Sequence, residues 1–168
     1  MFNINIHLYN KIIIINILNN IYIYNSLFGR LFDEESFLII ENVKLRDIVT
    51  GYKYIFYSLY NDIIIVGLDA ENVICNGDDG DSSLILFDSG EVKKKIELYN
   101  LNINNCSTNG PLIKIIGNHN EVIIKDTIIN NVNSFGPLIE NNSEKVISKI
   151  LWIEYYIQTK INKYKYLI

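Results

Sequence analysis

Gly110-Pro111-Leu112-Ile113 recurs 26 residues later as Gly136-Pro137-Leu138-Ile139, and each copy follows an Asn pair, Asn104-Asn105 or Asn130-Asn131, at the same distance. A fixed period of this size marks stacked repeats, in which each unit buries its apolar side only against its neighbours. Composition agrees. Ile and Asn together exceed a third of the chain, and Ala70 is the single alanine. Ile, Val and Tyr favour strands, Asn favours turns and tolerates φ > 0, and the best helix former is nearly missing. An AT-rich coding bias also raises Ile, Asn, Lys and Tyr, but it cannot create a period.

Aligning the two copies places Ile96-Glu97-Leu98-Tyr99-Asn100 over Val122-Ile123-Ile124-Lys125-Asp126. Leu38-Ile39-Ile40-Glu41-Asn42 and Ile65-Val66-Gly67-Leu68-Asp69 extend the series to about four coils, spaced by 27, 31 and 26 residues. One predicted column reads Asn42, Asp69, Asn100 and Asp126; a second reads Ile48, Cys75, Cys106 and Val132. The second coil has an alternative register, since Glu41-Asn42-Val43 also matches Glu71-Asn72-Val73. The longest spacing contains Asn76–Ser83, where an insertion loop is expected. Within a coil, short apolar runs such as Ile96–Tyr99, Leu101–Ile103 and Leu112–Ile116 fit strands and are too short for helices. The expectation is an all-β fold: a short right-handed parallel β-helix solenoid of about four coils with irregular or helical ends. Asn residues at its turns should take left-handed geometry and pair with the Asn in the next coil. A β-sandwich also has short strands and regular turns, but it does not require near-identical phrases at one period.

Asn-rich turns followed by a Gly-led aliphatic strand resemble the pectin-lyase-like right-handed β-helix superfamily, and most closely polymorphic outer-membrane and adhesin-type repeats. Thr127-Ile128-Ile129-Asn130 before Gly136-Pro137-Leu138-Ile139 carries the likeness, as does Leu101-Asn102-Ile103-Asn104 before Gly110-Pro111-Leu112-Ile113. The chain departs from the adhesin pattern in having Thr or Leu for Phe and Pro for the second Gly. The resemblance spans roughly residues 37–145.

The chain therefore divides into an N-terminal segment 1–36, repeats over 37–145 and a C-terminal cap or tail over 146–168. A weak signal peptide, a first imperfect coil or cap, and a wrong gene start all fit the N-terminal segment. Its apolar stretch, Ile12–Leu18, falls well short of the ~20 residues that span a membrane. In the last segment Ile147, Ile150, Leu151 and Ile161 could share one side of a helix. A cap over the open solenoid end, or a basic aromatic helix at a membrane surface, would use such a segment.

Net charge is −4 with two Arg, and residues 69–91 carry seven acids and no base. No nucleic-acid partner is expected. Two histidines leave little material for a nucleophilic triad, and His119 reads as a turn residue. Asp78, Asp79 and Asp81, on glycine hinges, are the candidate ligands for a calcium ion, with a solvated loop as the alternative. No other cofactor is expected. Cys75 and Cys106 read as two buried thiols, with a disulfide as the alternative; two cysteines without partner ligands do not make a zinc site. Asp69 and Asp126, two coil steps apart, would suit a carboxylate pair only at its outer limit, and Arg46 is the only Arg in the repeats. Lys93-Lys94-Lys95 reads as a solvated turn. Asn105-Cys106-Ser107 and Asn141-Asn142-Ser143 match the glycosylation acceptor pattern, as chance allows in an Asn-rich chain. The expected role is a non-enzymatic extracellular or surface module for binding or adhesion, its partner a cell-wall polysaccharide or surface protein. The alternative is a polysaccharide lyase or glycoside hydrolase on the same fold.

Overall fold

The structure, a computed structural model, describes residues 37–143 except 52 and 78–80, and the backbone of five flanking strands. It is a parallel β-solenoid. Strands β1 (Lys11–Ile14), β2 (Ile17–Asn19) and β3 (Tyr22–Ile23) precede the complete coils. The first coil comprises β4 (Phe37–Glu41), β5 (Lys44–Thr50) and β6 (Tyr54–Leu59). The second has β7 (Asp62–Val66), β8 (Asp69–Cys75) and β9 (Ser83–Asp88). In the third coil follow β10 (Lys93–Tyr99), β11 (Asn102–Asn104), β12 (Ser107–Thr108) and β13 (Ile113–Ile116). The fourth has β14 (His119–Lys125), β15 (Thr127–Asn130), β16 (Asn133–Ser134) and β17 (Ile139–Asn141), after which come β18 (Lys145–Ile150) and β19 (Ile153–Tyr156). Like strands of successive coils pair in parallel into three sheets of six, nine and four strands. The four-strand sheet, β6-β9-β13-β17, counts the complete coils.

Alternate residues of each strand point inward, so like positions of successive coils stack into apolar columns. Leu38, Ile63, Ile96 and Val122 form one column, and Ile40, Ile65, Leu98 and Ile124 the next; all eight are buried. Each such burial is worth about 1.5–3 kcal/mol, so the columns supply the bulk of the stability. The doubled phrase lies on the third sheet with Ile113 paired to Ile139. Ile85 and Phe56 continue that column, so Leu84-Ile85 is an earlier, weaker copy of the phrase. Below the turn, Thr108 Oγ1 donates to the Gly110 carbonyl at 2.7 Å and Ser134 Oγ to the Gly136 carbonyl at 3.1 Å. The same hydroxyl brace thus supports both copies.

Left-handed residues stand between the third and first faces at Tyr60, Gly90 and Gly117, and two further corners carry one in every complete coil. Asn42, Gly67, Asn100 and Asp126 occupy one, with φ of 55°, 70°, 54° and 51°. Asp47, Asn72, Asn105 and Asn131 occupy the other, with φ of 52°, 55°, 50° and 50°. At this second corner the side chains form a ladder. Asn72 Nδ2 donates to Asp47 Oδ1 at 2.7 Å, Asn105 Nδ2 to Asn72 Oδ1 at 2.5 Å, and Asn131 Nδ2 to Asn105 Oδ1 at 2.8 Å. Its steps, 25, 33 and 26 residues, are the coil lengths at this corner. Asn stacking is thus present, at a different corner from the expected column of Asn42, Asp69, Asn100 and Asp126.

The register of the second coil differs from the expected one by two residues. Leu38 pairs with Ile63, not Ile65, and Ile63 with Ile96. Gly67 therefore takes the turn position assigned to Asp69, because the position demands φ > 0 and glycine meets that demand without a side chain. Asp69 instead opens β8, and it shares no column with Asp126. The same shift separates the cysteines: Cys75 pairs with Thr50 and Thr108, while Ile48 pairs with Val73. The insertion loop is where expected, between β8 and β9.

Three further expectations change. Lys93–Lys95 and His119 are not turn residues; they open β10 and β14, with Lys93 paired to His119. Parallel pairing continues past residue 145, since β18 stacks on β14 and β19 on β15. The helical option thus gives way to strands as far as Tyr156, and residues 157–168 lie outside the described residues, as does most of 1–36. Among the described residues no helix is long and apolar enough to cross a membrane.

Asn105→Ala removes two ladder bonds and forces a Cβ-bearing, turn-averse residue into the left-handed region, so it should cost about 2–3 kcal/mol. Asn105→Gly, which keeps the backbone geometry, should cost less. Urea denaturation followed by far-UV circular dichroism checks the order; equal stability of the alanine variant and wild type would show that the ladder is not structural.

Candidate functional site

On the second face and the corner beyond it, three coils enclose an open cleft of about 270 Å³. The second coil contributes Asn76, the third Ser107, Thr108 and Asn109, and the fourth Asn133, Ser134 and Phe135. The lining follows the register: Ser107 pairs with Asn133 and Thr108 with Ser134. The amides of Asn76, Asn109 and Phe135 then bond to the carbonyls of Thr50, Cys75 and Thr108, each one coil back. These three residues therefore follow one another along the solenoid axis. Asn76 and Asn109 are exposed, and Phe135 is 72% exposed, the most exposed large apolar side chain described. The cleft thus sets one open aromatic ring beside neutral amides and hydroxyls, with no charged residue among the described residues of its lining.

The insertion loop starts at Asn76, and its described ends are tied to the cleft. Ser82 Oγ donates to the Cys75 carbonyl at 2.7 Å and accepts from the Asn109 amide at 2.9 Å. Asn109 Nδ2 donates to the Gly77 carbonyl at 3.0 Å. Asp78 and Asp79, two of the three expected calcium ligands, lie outside the described residues. Asp81 is described and engaged: Lys114 Nζ lies 2.6 Å from Oδ1, Lys53 Nζ 3.1 Å from Oδ2, and the Tyr54 hydroxyl donates to Oδ2 at 3.3 Å. Burial raises its carboxyl pKa, but the bonds and charges of Lys114 and Lys53 outweigh it and hold the group below the ordinary carboxylate value. A cation at Asp81 would have to displace two ammonium groups. Among the described residues no group of three or more His, Cys, Asp or Glu could hold a metal ion.

Arg46 is likewise committed. Its guanidinium bonds Asp69 through Nη2 and Glu71 through Nε at 3.1 Å, and Nη1 donates to the Asp69 carbonyl at 2.9 Å. Asn102 Nδ2 adds a bond to Asp69 Oδ1 at 3.0 Å. This arrangement clamps neighbouring coils and uses the one arginine of the repeats. His119 is exposed at the start of its strand. Cys75 and Cys106 are free and buried; burial pushes the thiols up to about 12 and about 11 respectively, so neither is a thiolate nucleophile near neutral pH.

Sequence reasoning did not find the cleft. Asn133 and Phe135 carry no motif, Ser107 belongs only to an Asn-x-Ser pattern, and the one available signal was an aromatic residue immediately before the second Gly-Pro-Leu-Ile copy.

Asp81 has a depressed folded-state pKa, so its contribution to stability is complete above the unfolded value of about 3.9 and disappears as pH falls through the folded value. Asp81→Asn should therefore lower the thermal midpoint at pH 7, and the gap from wild type should close as the solution is acidified from about pH 4. A constant gap would show that Asp81 is not held ionised by its lysines. Cys75 and Cys106 should react with a maleimide or disulfide reagent only after denaturation, at pH 9 as at pH 7; rapid native labelling would contradict their burial.

No protein-family model, curated protein or solved structure matches this chain.

Proposed function

We propose that this chain is a non-enzymatic extracellular or surface module that binds a glycan in the cleft beside Phe135. The observation that carries the reading is that lining: a ring 72% exposed amid Asn, Ser and Thr side chains. An apolar ring held in water gains by covering it with another apolar face. The C–H face of a sugar ring provides one, while its hydroxyl groups suit the amides and hydroxyls beside the phenyl ring. Ligand sites generally combine apolar surface with a few polar groups that set orientation. A protein partner is the weaker choice, because protein interfaces concentrate their energy in buried aromatic and arginine anchors. Here the single described arginine is spent on Asp69 and Glu71.

The solenoid also suits an extended ligand. Coils repeat at ~4.8 Å, so equivalent polar groups recur along the axis and can meet successive units of a linear saccharide. The pectin-lyase-like and adhesin resemblance points to the same ligand class, and the role is display on a rigid surface rather than chemistry.

Titration of the full chain with soluble plant and microbial cell-wall oligosaccharides tests the reading. Phe135→Ala should weaken binding about tenfold or more, equivalent to ~1.4 kcal/mol, without changing the unfolding midpoint. Phe135→Tyr should retain binding. Affinity independent of residue 135 would remove the cleft as the site, and release of reducing or unsaturated sugars would turn the reading into that of a hydrolase or lyase.

A further inference from the structure

The two Asn-x-Ser patterns, Asn105-Cys106-Ser107 and Asn141-Asn142-Ser143, stand in opposite surroundings. Asn105 lies inside the amide ladder. Its Nδ2 donates to Asn72 and its Oδ1 accepts from Asn131, so both ends of the amide are bound to neighbouring coils, and neither bond involves Ser107. A sugar on Nδ2 would crowd the amides stacked one coil away on either side.

Asn141 is exposed at the end of β17, the last strand of the third sheet among the described residues. It continues the column of Ser58, Phe87 and Ile115, where the buried positions of earlier coils give way to an exposed amide. Its Oδ1 accepts from the Ser143 amide at 3.2 Å and the Ser143 hydroxyl at 2.7 Å. That local turn occupies the oxygen, while the residue as a whole is exposed.

We propose that Asn141 is an acceptor for an N-linked glycan and that Asn105 is not. The proposal rests on the extracellular reading above. In the transfer, Asn141 Nδ2 forms a bond to the anomeric carbon of a glycan carried on a polyprenyl pyrophosphate. The bond from that carbon to the pyrophosphate oxygen breaks, the amide gives up one proton, and the polyprenyl pyrophosphate departs.

The test expresses the full chain behind an added signal peptide in a glycosylating eukaryotic cell and maps glycopeptides by mass spectrometry, with and without peptide-N-glycosidase. One glycan is expected, on the peptide containing Asn141, with the Asn105 peptide unmodified. Asn141→Gln and Ser143→Ala should each abolish it. The wild-type map needs no variant to fold, so it decides the matter alone. A glycan on Asn105, or an unmodified Asn141 in the translocated chain, overturns the proposal. A second arm titrates the enzymatically deglycosylated chain with the cell-wall oligosaccharides; absence of binding there overturns the proposed function and leaves the Asn141 assignment standing.

Discussion

The left-handed corner holding Asp47, Asn72, Asn105 and Asn131 is the constraint from which the rest of the solenoid follows. Asp47 and Asn72 bend the chain within β5 and β8, Asn105 and Asn131 turn it between two strands, and each side chain but the first donates to the one a coil earlier. A hydrogen bond of this kind contributes about 0.5–1.5 kcal/mol, less than one buried Ile. Its importance lies in register. Apolar columns of Ile and Leu tolerate a slip of two residues, since inward positions recur every second residue. A ladder that needs φ > 0 and an amide at one position per coil does not tolerate it. Hydrophobic burial holds the coils together, and the corner decides which residue sits on which.

This division explains where variation is accommodated. The steps of the ladder run from 25 to 33 residues, yet the strands flanking it stay in register. The extra length is placed in the connection after β8 and in the turn before β10, away from the ladder. The first of these connections starts at Asn76, which lines the polar cleft. Asp81 anchors that connection to the third face through Lys53 and Lys114, while Ser82 and Asn109 tie it to the second.

Arg46 and Asp81 are both engaged by scaffold partners. Arg46 bridges Asp69 and Glu71, and both cysteines are sealed in the core. The proposed ligand is accordingly one that needs no ion pair and no nucleophile. Phe135 stands apart from this economy because nothing in the core covers it.

The sequence by itself determined the repeat, the parallel stacking of the Gly-Pro-Leu-Ile copies, the apolar columns of the third and fourth coils and the stacked asparagines. These were legible because periodicity and residue type act locally and recur. The tertiary structure alone decided the second coil's register: Gly67, Asn42 and Asp126 are different residues that satisfy one backbone demand, so identity did not reveal the match. It also decided the cleft. Asn76, Asn109 and Phe135 differ in type and are separated by whole coils, and only the stacking of one coil on the next brings them to one surface. For the same reason the doubled Asn-x-Ser pattern divided into a ladder position and an exposed edge. The pattern describes three neighbouring residues, whereas the fate of the amide depends on residues a coil away.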